Sequence, residues 1–157
     1  MRVGITGHTT LSPASVELIT EELHALLADQ PDLVGVTCLA RGADQLFARA
    51  VLDLGGRIEV VLPAADYRER KVKPGNLGEF DVLLGKADTV HTMPFAESGG
   101  AAYMAASEQV LSTVDRLVAV WDGKPAAGHG GTADVVRAAR ERAIPVTVVW
   151  PIGCARE

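Results

Sequence analysis

Short apolar runs alternate with amphipathic stretches along the whole chain. The runs at residues 3–6, 33–39, 57–62, 89–93, 116–121 and 146–150 predict strands. Three of them, Ile58-Glu59-Val60-Val61-Leu62, Leu117-Val118-Ala119-Val120-Trp121 and Val146-Thr147-Val148-Val149-Trp150, are nearly continuous in apolar residues rather than alternating. Continuous runs suit a parallel sheet covered on both faces, because neither face meets water.

The stretches between the runs read as helices. Val16, Ile19, Leu23, Leu26 and Leu27 fall on one face at helical spacing, and Ser12 followed by Pro13 supplies a cap and a first-turn proline. A second helix is predicted over 42–54, stopped by Gly55-Gly56. A long helix is expected over 99–113. The last starts after Thr132 and ends before Pro145, which disfavours helix at Ile144. Residues 67–78, charged and carrying Pro74 and Gly75, read as a surface loop.

Strand–helix alternation with no repeat, low-complexity tract or linker predicts one α/β domain over 1–157. It is a Rossmann-like three-layer open sheet, mainly parallel, with helices on both faces. The first strand would lie centrally, with strands two and three on one side and the Trp121 and Trp150 strands on the other. A ligand crevice is then expected at the carboxyl ends of the strands, where the order reverses.

Composition agrees with a globular domain. Of 157 residues 48% are hydrophobic and 22% charged, and 15 Lys plus Arg against 20 Asp plus Glu give a net charge of −5. The acidic balance argues against a general nucleic-acid binder. Cys38 and Cys154 are too few and too far apart for a disulfide scaffold or zinc cluster, and fit packing in a reducing cytoplasm. No basic and apolar leader precedes the first strand, and no apolar run approaches the roughly 20 residues of a membrane span. A cytoplasmic protein is expected.

Three strand-to-helix loops carry the candidate chemistry: Gly4-Ile5-Thr6-Gly7-His8-Thr9-Thr10, Ala40-Arg41-Gly42-Ala43-Asp44, and Trp121-Asp122-Gly123 leading through Gly128-His129-Gly130-Gly131-Thr132. Glycine lets backbone N–H groups approach a ligand, and the following helix N-terminus favours an anion, most often phosphate. There is no G-x-x-x-x-G-K-[ST] run, no G-x-G-x-x-G spacing and no ribose-binding acid after the second strand. A Walker-type triphosphate site and a standard dinucleotide dehydrogenase are therefore disfavoured. No histidine–cysteine spacing points to a metal and no G-x-S-x-G elbow to a nucleophilic serine, and no cofactor is implied.

Individual residues divide between ligand and structure. Arg41, at the positive end of a helix dipole, sits at a cost of roughly 0.3–1 kcal/mol that a phosphate or local pairing with Asp44 would offset. His8 and His129 lie in glycine loops, where either would donate to phosphate or carry a proton, although His129 reads more simply as exposed. His24 and His91 have no evident partner. Asp122 directly follows an apolar strand and is a candidate for a ribose hydroxyl. Asp134 has a sufficient reason in the helix dipole. Tyr67, Tyr103 and Trp121 are the aromatics placed to stack on a base, with core packing the plainer reading of Trp121.

At these same loops the chain resembles the SLOG superfamily, which joins the Smf/DprA DNA-processing proteins and the Lonely-Guy (LOG) nucleotide hydrolases. Leu39-Ala40-Arg41-Gly42-Ala43-Asp44 resembles the G-x-A-R-G-[IA]-D segment of the former, and Gly130-Gly131-Thr132 the P-G-G-x-G-T segment of the latter. Gly4-Ile5-Thr6-Gly7-His8 is similar to the group's first-strand loop. The resemblance implies a Rossmann-like fold that binds a nucleotide or nucleotide-derived molecule, often as a homodimer, acting as hydrolase or sensor.

The chain departs from the hydrolase pattern. Thr9 stands where related small domains often have arginine, and Glu97-Ser98-Gly99-Gly100 stands where the hydrolases have an arginine–lysine pair. Val135 occupies their glutamate position, with Asp134 one residue short. The expectation is therefore a nucleotide-binding sensor or carrier, with Gly7, His8, Thr9, Ala40, Arg41, Gly42, Asp44, Tyr67, Trp121, Asp122, Gly130, Gly131 and Thr132 against the ligand. The alternative is an N-glycoside hydrolase using Asp134, Glu97 or Asp122, since such a reaction needs a carboxylate beside an oxocarbenium-like centre. A third reading, single-stranded DNA binding, is weakened by the acidic charge.

Overall fold

A computed structural model describes residues 1–125 and 131–156. The strands are β1 (Arg2–Gly7), β2 (Val34–Thr37), β3 (Arg57–Leu62), β4 (Thr89–Thr92), β5 (Arg116–Val120) and β6 (Val146–Val149). They form one sheet in the order β4-β3-β2-β1-β5-β6, with every ladder parallel. The helices are α1 (Pro13–Leu27), α2 (Ala43–Asp53), α3 (Tyr67–Lys71), α4 (Leu77–Gly85), α5 (Gly100–Leu111) and α6 (Thr132–Glu141). This is the Rossmann-like α/β architecture that the apolar runs predict, with β1 central and the order reversing beside it.

Each face of the sheet is closed by its own core. Ile19, Leu23 and Leu27 of α1, Phe47 and Val51 of α2, and Phe80 and Leu83 of α4 bury one face together with Val3, Ile58 and Val118. On the other, Ala106 and Val110 of α5 pack on Val34, Val36 and Val61, while Leu111, Val135 and Ala139 enclose Leu117. The double cover explains why these strands are apolar without alternation. β4 has all four residues exposed and forms one sheet edge. No helix among the described residues is long and apolar enough to cross a membrane.

Local signals hold at several ends. The Ser12 hydroxyl accepts from Ser15 N–H and caps α1, and the exit from α2 passes through Gly55 at φ +81°. β2 stops at Thr37, short of the predicted residue 39, because Leu39 takes a left-handed φ of +55° and donates its N–H to Thr37 Oγ1 at 3.0 Å.

Residues 67–78 are not a plain loop. They hold α3, a 3-10 turn at Pro74–Asn76 and the start of α4. Tyr67 is buried against Phe80 and Tyr103, with ring centroids at 6.1 and 6.4 Å. Arg68 makes two hydrogen bonds to Asp81 at 2.9 and 2.7 Å, tying α3 to α4. A five-residue helix is too short to show an apolar period, and its one buried residue carries a phenol.

Candidate functional site

The carboxyl edge of the sheet is assembled by backbone contact between the first two glycine loops. His8 N–H donates to Val120 O at 3.1 Å, and His8 O accepts from Ala43 N–H at 3.1 Å. Gly42, at φ +83°, lies so close that an added Cβ would stand 2.6 Å from His8 O and 2.7 Å from Thr9 O. Only glycine meets both demands. A Cβ at Gly7 would come within 2.5 Å of Ala43 Cβ, so this glycine also has a packing reason.

Asp44, in the first turn of α2, is 7% exposed. Its carboxylate accepts from the backbone N–H of Ala40 at 3.3 Å and of Cys38, and from the Thr37 hydroxyl. Burial outweighs these donors and pushes its pKa up to about 7. The local pairing expected with Arg41 is not formed: Arg41 is exposed, and Asp44 looks instead to the backbone. Behind Asp44, Gln45 donates to Leu39 O at 3.1 Å and exchanges amide hydrogen bonds with Asn76, both at 2.9 Å. These bonds dock the 3-10 turn onto α2.

On the other side of β1, Asp122 links three parts of the chain. Its N–H donates to His8 Nε2 at 3.1 Å, Oδ1 accepts from Lys124 N–H at 3.0 Å, and Oδ2 accepts from Arg156 Nε at 2.7 Å. Burial pushes the Asp122 pKa upward, but the bonds from Arg156 and Lys124 and the nearby His8 bring it to about 2. Burial, then the Arg156 charge, hold His8 below the ordinary histidine range against the pull of Asp122. His8 is therefore neutral at pH 7 and accepts at Nε2, which places its proton on Nδ1. Its ring meets Trp150 edge-on at 5.4 Å.

Arg156 arrives on a tail stapled to the start of α1. Leu11 and Arg156 form an isolated antiparallel bridge, Ser12 N–H donates to Ala155 O at 3.2 Å, and Ala155 N–H donates to Ser15 Oγ at 2.8 Å. The third glycine loop re-enters the described residues at Gly131, which precedes α6. The Gly131 N-cap position supplies no side-chain cap, and the Asp134 N–H turns back to Gly131 O at 3.0 Å, so the positive end of the helix faces the cavity at Gly131 and Thr132.

These elements enclose a cavity of about 540 Å³. Of the residues expected at a ligand, Gly7, His8, Thr9, Ala40, Arg41, Asp44, Tyr67, Trp121, Gly131 and Thr132 line it, as does Tyr103. Gly42 lines an adjoining depression that shares Thr9, Thr10 and Arg41. Asp122 lies behind the wall, committed to Arg156 and His8. Gly130, with His129, falls outside the described residues. Asp134, ion-paired to Arg137 at 2.6 Å, and the exposed Glu97 do not line the cavity.

Sequence reasoning missed Lys71, Lys73, Asn76 and Arg156, all of which line it. The two lysines had a signal in the charged 67–78 stretch, whereas nothing local marks Arg156. The lining brings five cations, Arg41, Lys71, Lys73, Lys124 and Arg156, around one carboxylate, Asp44. Among the described residues, Arg41, Lys71, Lys73 and Lys124 form no ion pair. In a chain of net charge −5 this is a local reversal of sign, so the overall charge does not exclude a nucleic acid here. No group of three or more His, Cys, Asp or Glu placed to hold a metal occurs among the described residues.

Comparison with solved structures fixes the architecture. The chain superposes on DNA processing protein A (DprA) from Streptococcus pneumoniae with a TM-score of 0.69 and 16% identity, over 97% of this chain and 51% of that one. DprA from Helicobacter pylori, described for its single-stranded DNA binding mode, gives 0.67 and 17% over 99% and 68%. The chain shares the Rossmann-like fold of these proteins, as the resemblance of its loops implied. The molybdenum cofactor binding protein from the phototrophic bacterium Rippkaea orientalis gives 0.62 and 16% over 94% and 74%. The chain thus spans about half the length of the pneumococcal DprA. No protein-family profile matches the sequence, and no curated protein matches it by sequence. At these identities the fold alone is what is shared.

Proposed function

We propose that the cavity binds a nucleotide or nucleotide-derived phosphate ligand, and that the protein acts as a cytoplasmic sensor or carrier of it. The observation that supports this reading is the set of cations, Arg41, Lys71, Lys73 and Lys124, that line the cavity without an acid partner among the described residues. The phosphate lies across Gly7–Thr9 and the α6 N-terminus at Gly131 and Thr132, with Arg41 adding charge. The base packs toward Tyr67 and Tyr103, whose rings meet edge-on over the floor of the cavity. The same reading expects a homodimer, which sedimentation tests.

Thermal unfolding against a panel of nucleotides tests the proposal. A ligand at roughly 100 times its dissociation constant stabilises by about 2.7 kcal/mol. In a domain of this size that raises the midpoint by about 5–10 °C. No shift with any nucleotide would overturn it.

One observation favours a second reading, single-stranded nucleic acid. The cavity and its neighbour share Thr9, Thr10 and Arg41 and extend over Gly42 toward Arg49, giving a surface longer than one nucleotide needs. Fluorescence anisotropy of a labelled oligothymidylate, with affinity falling steeply as salt rises, would support it. No such observation favours the hydrolase alternative. Its three carboxylates, Asp134, Glu97 and Asp122, stand outside the cavity lining, and the carboxylate within that lining is Asp44.

A further inference from the structure

The cations around the cavity do not form one cluster. Lys71 and Lys73 follow β3, on α3 and the link to the 3-10 turn, whereas Lys124 and Arg156 stand on the β5 side beside the α6 N-terminus. The sheet order runs β3-β2-β1-β5 between them. At about 4.8 Å per strand, three spacings separate the two groups by roughly 14 Å at the backbone. Long side chains reaching inward shorten that distance, but the groups remain on opposite walls.

The Lys71 and Lys73 wall is held in place. Tyr67 anchors α3 beneath Tyr103, Arg68 clamps it to Asp81, and Asp66 accepts from Ser98 N–H and Oγ at 2.8 and 2.7 Å. The neighbouring acids are spent on arginines: Glu69 and Asp81 on Arg68, and Glu79 on Arg49. The two lysines therefore face the cavity with their charge uncompensated. Between the walls lies the uncharged floor of Leu39, Pro63 and the two tyrosines, with Asp44 beside it. A single phosphate at the glycine loops neutralises the β5 wall and leaves the β3 wall unanswered.

Resting on the nucleotide reading above, we infer that the ligand carries two phosphoryl groups on different oxygens of its ribose, the second held by Lys71 and Lys73. Its class is a nucleoside 3′,5′-bisphosphate rather than a mononucleotide or a 5′-diphosphate.

Calorimetric titration of the intact chain with the 5′-monophosphate, the 5′-diphosphate and the 3′,5′-bisphosphate, in adenosine and guanosine series, tests this. The last two probes carry the same number of phosphoryl groups, placed on two ribose oxygens in one and in series on a single oxygen in the other. The bisphosphate is expected to bind about tenfold tighter than both of the others in at least one series. In the double variant Lys71→Met with Lys73→Met, that advantage should disappear. Equal affinity for the bisphosphate and the 5′-diphosphate, or an advantage that survives in the variant, would overturn the inference while leaving nucleotide binding intact. Binding of none of the probes would instead overturn the nucleotide reading and this inference with it.

Discussion

The Asp122 N–H donates to His8 Nε2 at 3.1 Å while the Asp122 carboxylate Oδ1 lies 3.3 Å from the same nitrogen. Neutral His8 uses the first contact as an acceptor; protonated His8 would use the second as a donor. Burial of the ring, reinforced by the charge of Arg156 on the other carboxylate oxygen, tips the balance toward the neutral form.

Arg156→Gln is therefore expected to raise the His8 pKa, because it removes a nearby positive charge and leaves Asp122 uncompensated. An NMR titration of the His8 ring protons reads this directly. An unchanged midpoint would show that burial alone sets the ring's state.

Arg41→Met should weaken nucleotide binding by about tenfold, the cost of a charge-assisted hydrogen bond to phosphate. Because Arg41 is exposed and forms no ion pair among the described residues, the fold should keep its stability. Calorimetry and urea unfolding of the same variant separate the two effects.

Asp44 makes stability depend on pH with a definite sign. Its folded pKa of about 7 lies above the ordinary aspartate value of 3.8, so between these limits the folded state holds more protons than the unfolded one. Its contribution is fully present below pH 4 and is lost as pH rises through 7. Subtracting the urea stabilities of Asp44→Asn from those of the parent across pH 4–8 should expose that falling slope.

Two glycines with the same φ should respond differently to alanine. Gly42 at +83° has carbonyl oxygens where the Cβ would go, whereas Gly123 at +84° has nothing within 4 Å. Gly123→Ala should cost about 1 kcal/mol for the left-handed backbone alone. Gly42→Ala must also push apart the first two loops, which raises the cost to about 2–3 kcal/mol. Denaturant midpoints, with the slopes checked for constancy, measure both.

The fold was legible because its physics is local. Ile58–Leu62 and Leu117–Val120 are buried on both sides, and that condition prints a continuous apolar run. Ser12-Pro13 and Gly55-Gly56 mark helix ends by the backbone conformations they permit. The cavity wall was legible chiefly around the glycine loops, at Gly7–Thr9 and Ala40–Asp44, where close backbone approach demands glycine. Leu39 adopts a left-handed conformation without the glycine that would announce it. Asp44 carries the same local pattern as any acid in a first helical turn, and only its burial sets it apart. The Asp122 contacts span 114 residues to His8 and 34 to Arg156, distances over which no motif is readable.

The stapled tail has a thermodynamic consequence. Arg156 belongs at once to the cavity wall and to the segment bridged to Leu11 and Ser12, so releasing that segment strips the site of a cation. Linkage runs both ways: a ligand that takes a hydrogen bond from Arg156 favours the closed tail by the same free energy that the closed tail lends to the ligand. Proteolytic cleavage within residues 151–156 should accordingly slow when the cavity is filled, making the rate of cutting there a gauge of occupancy.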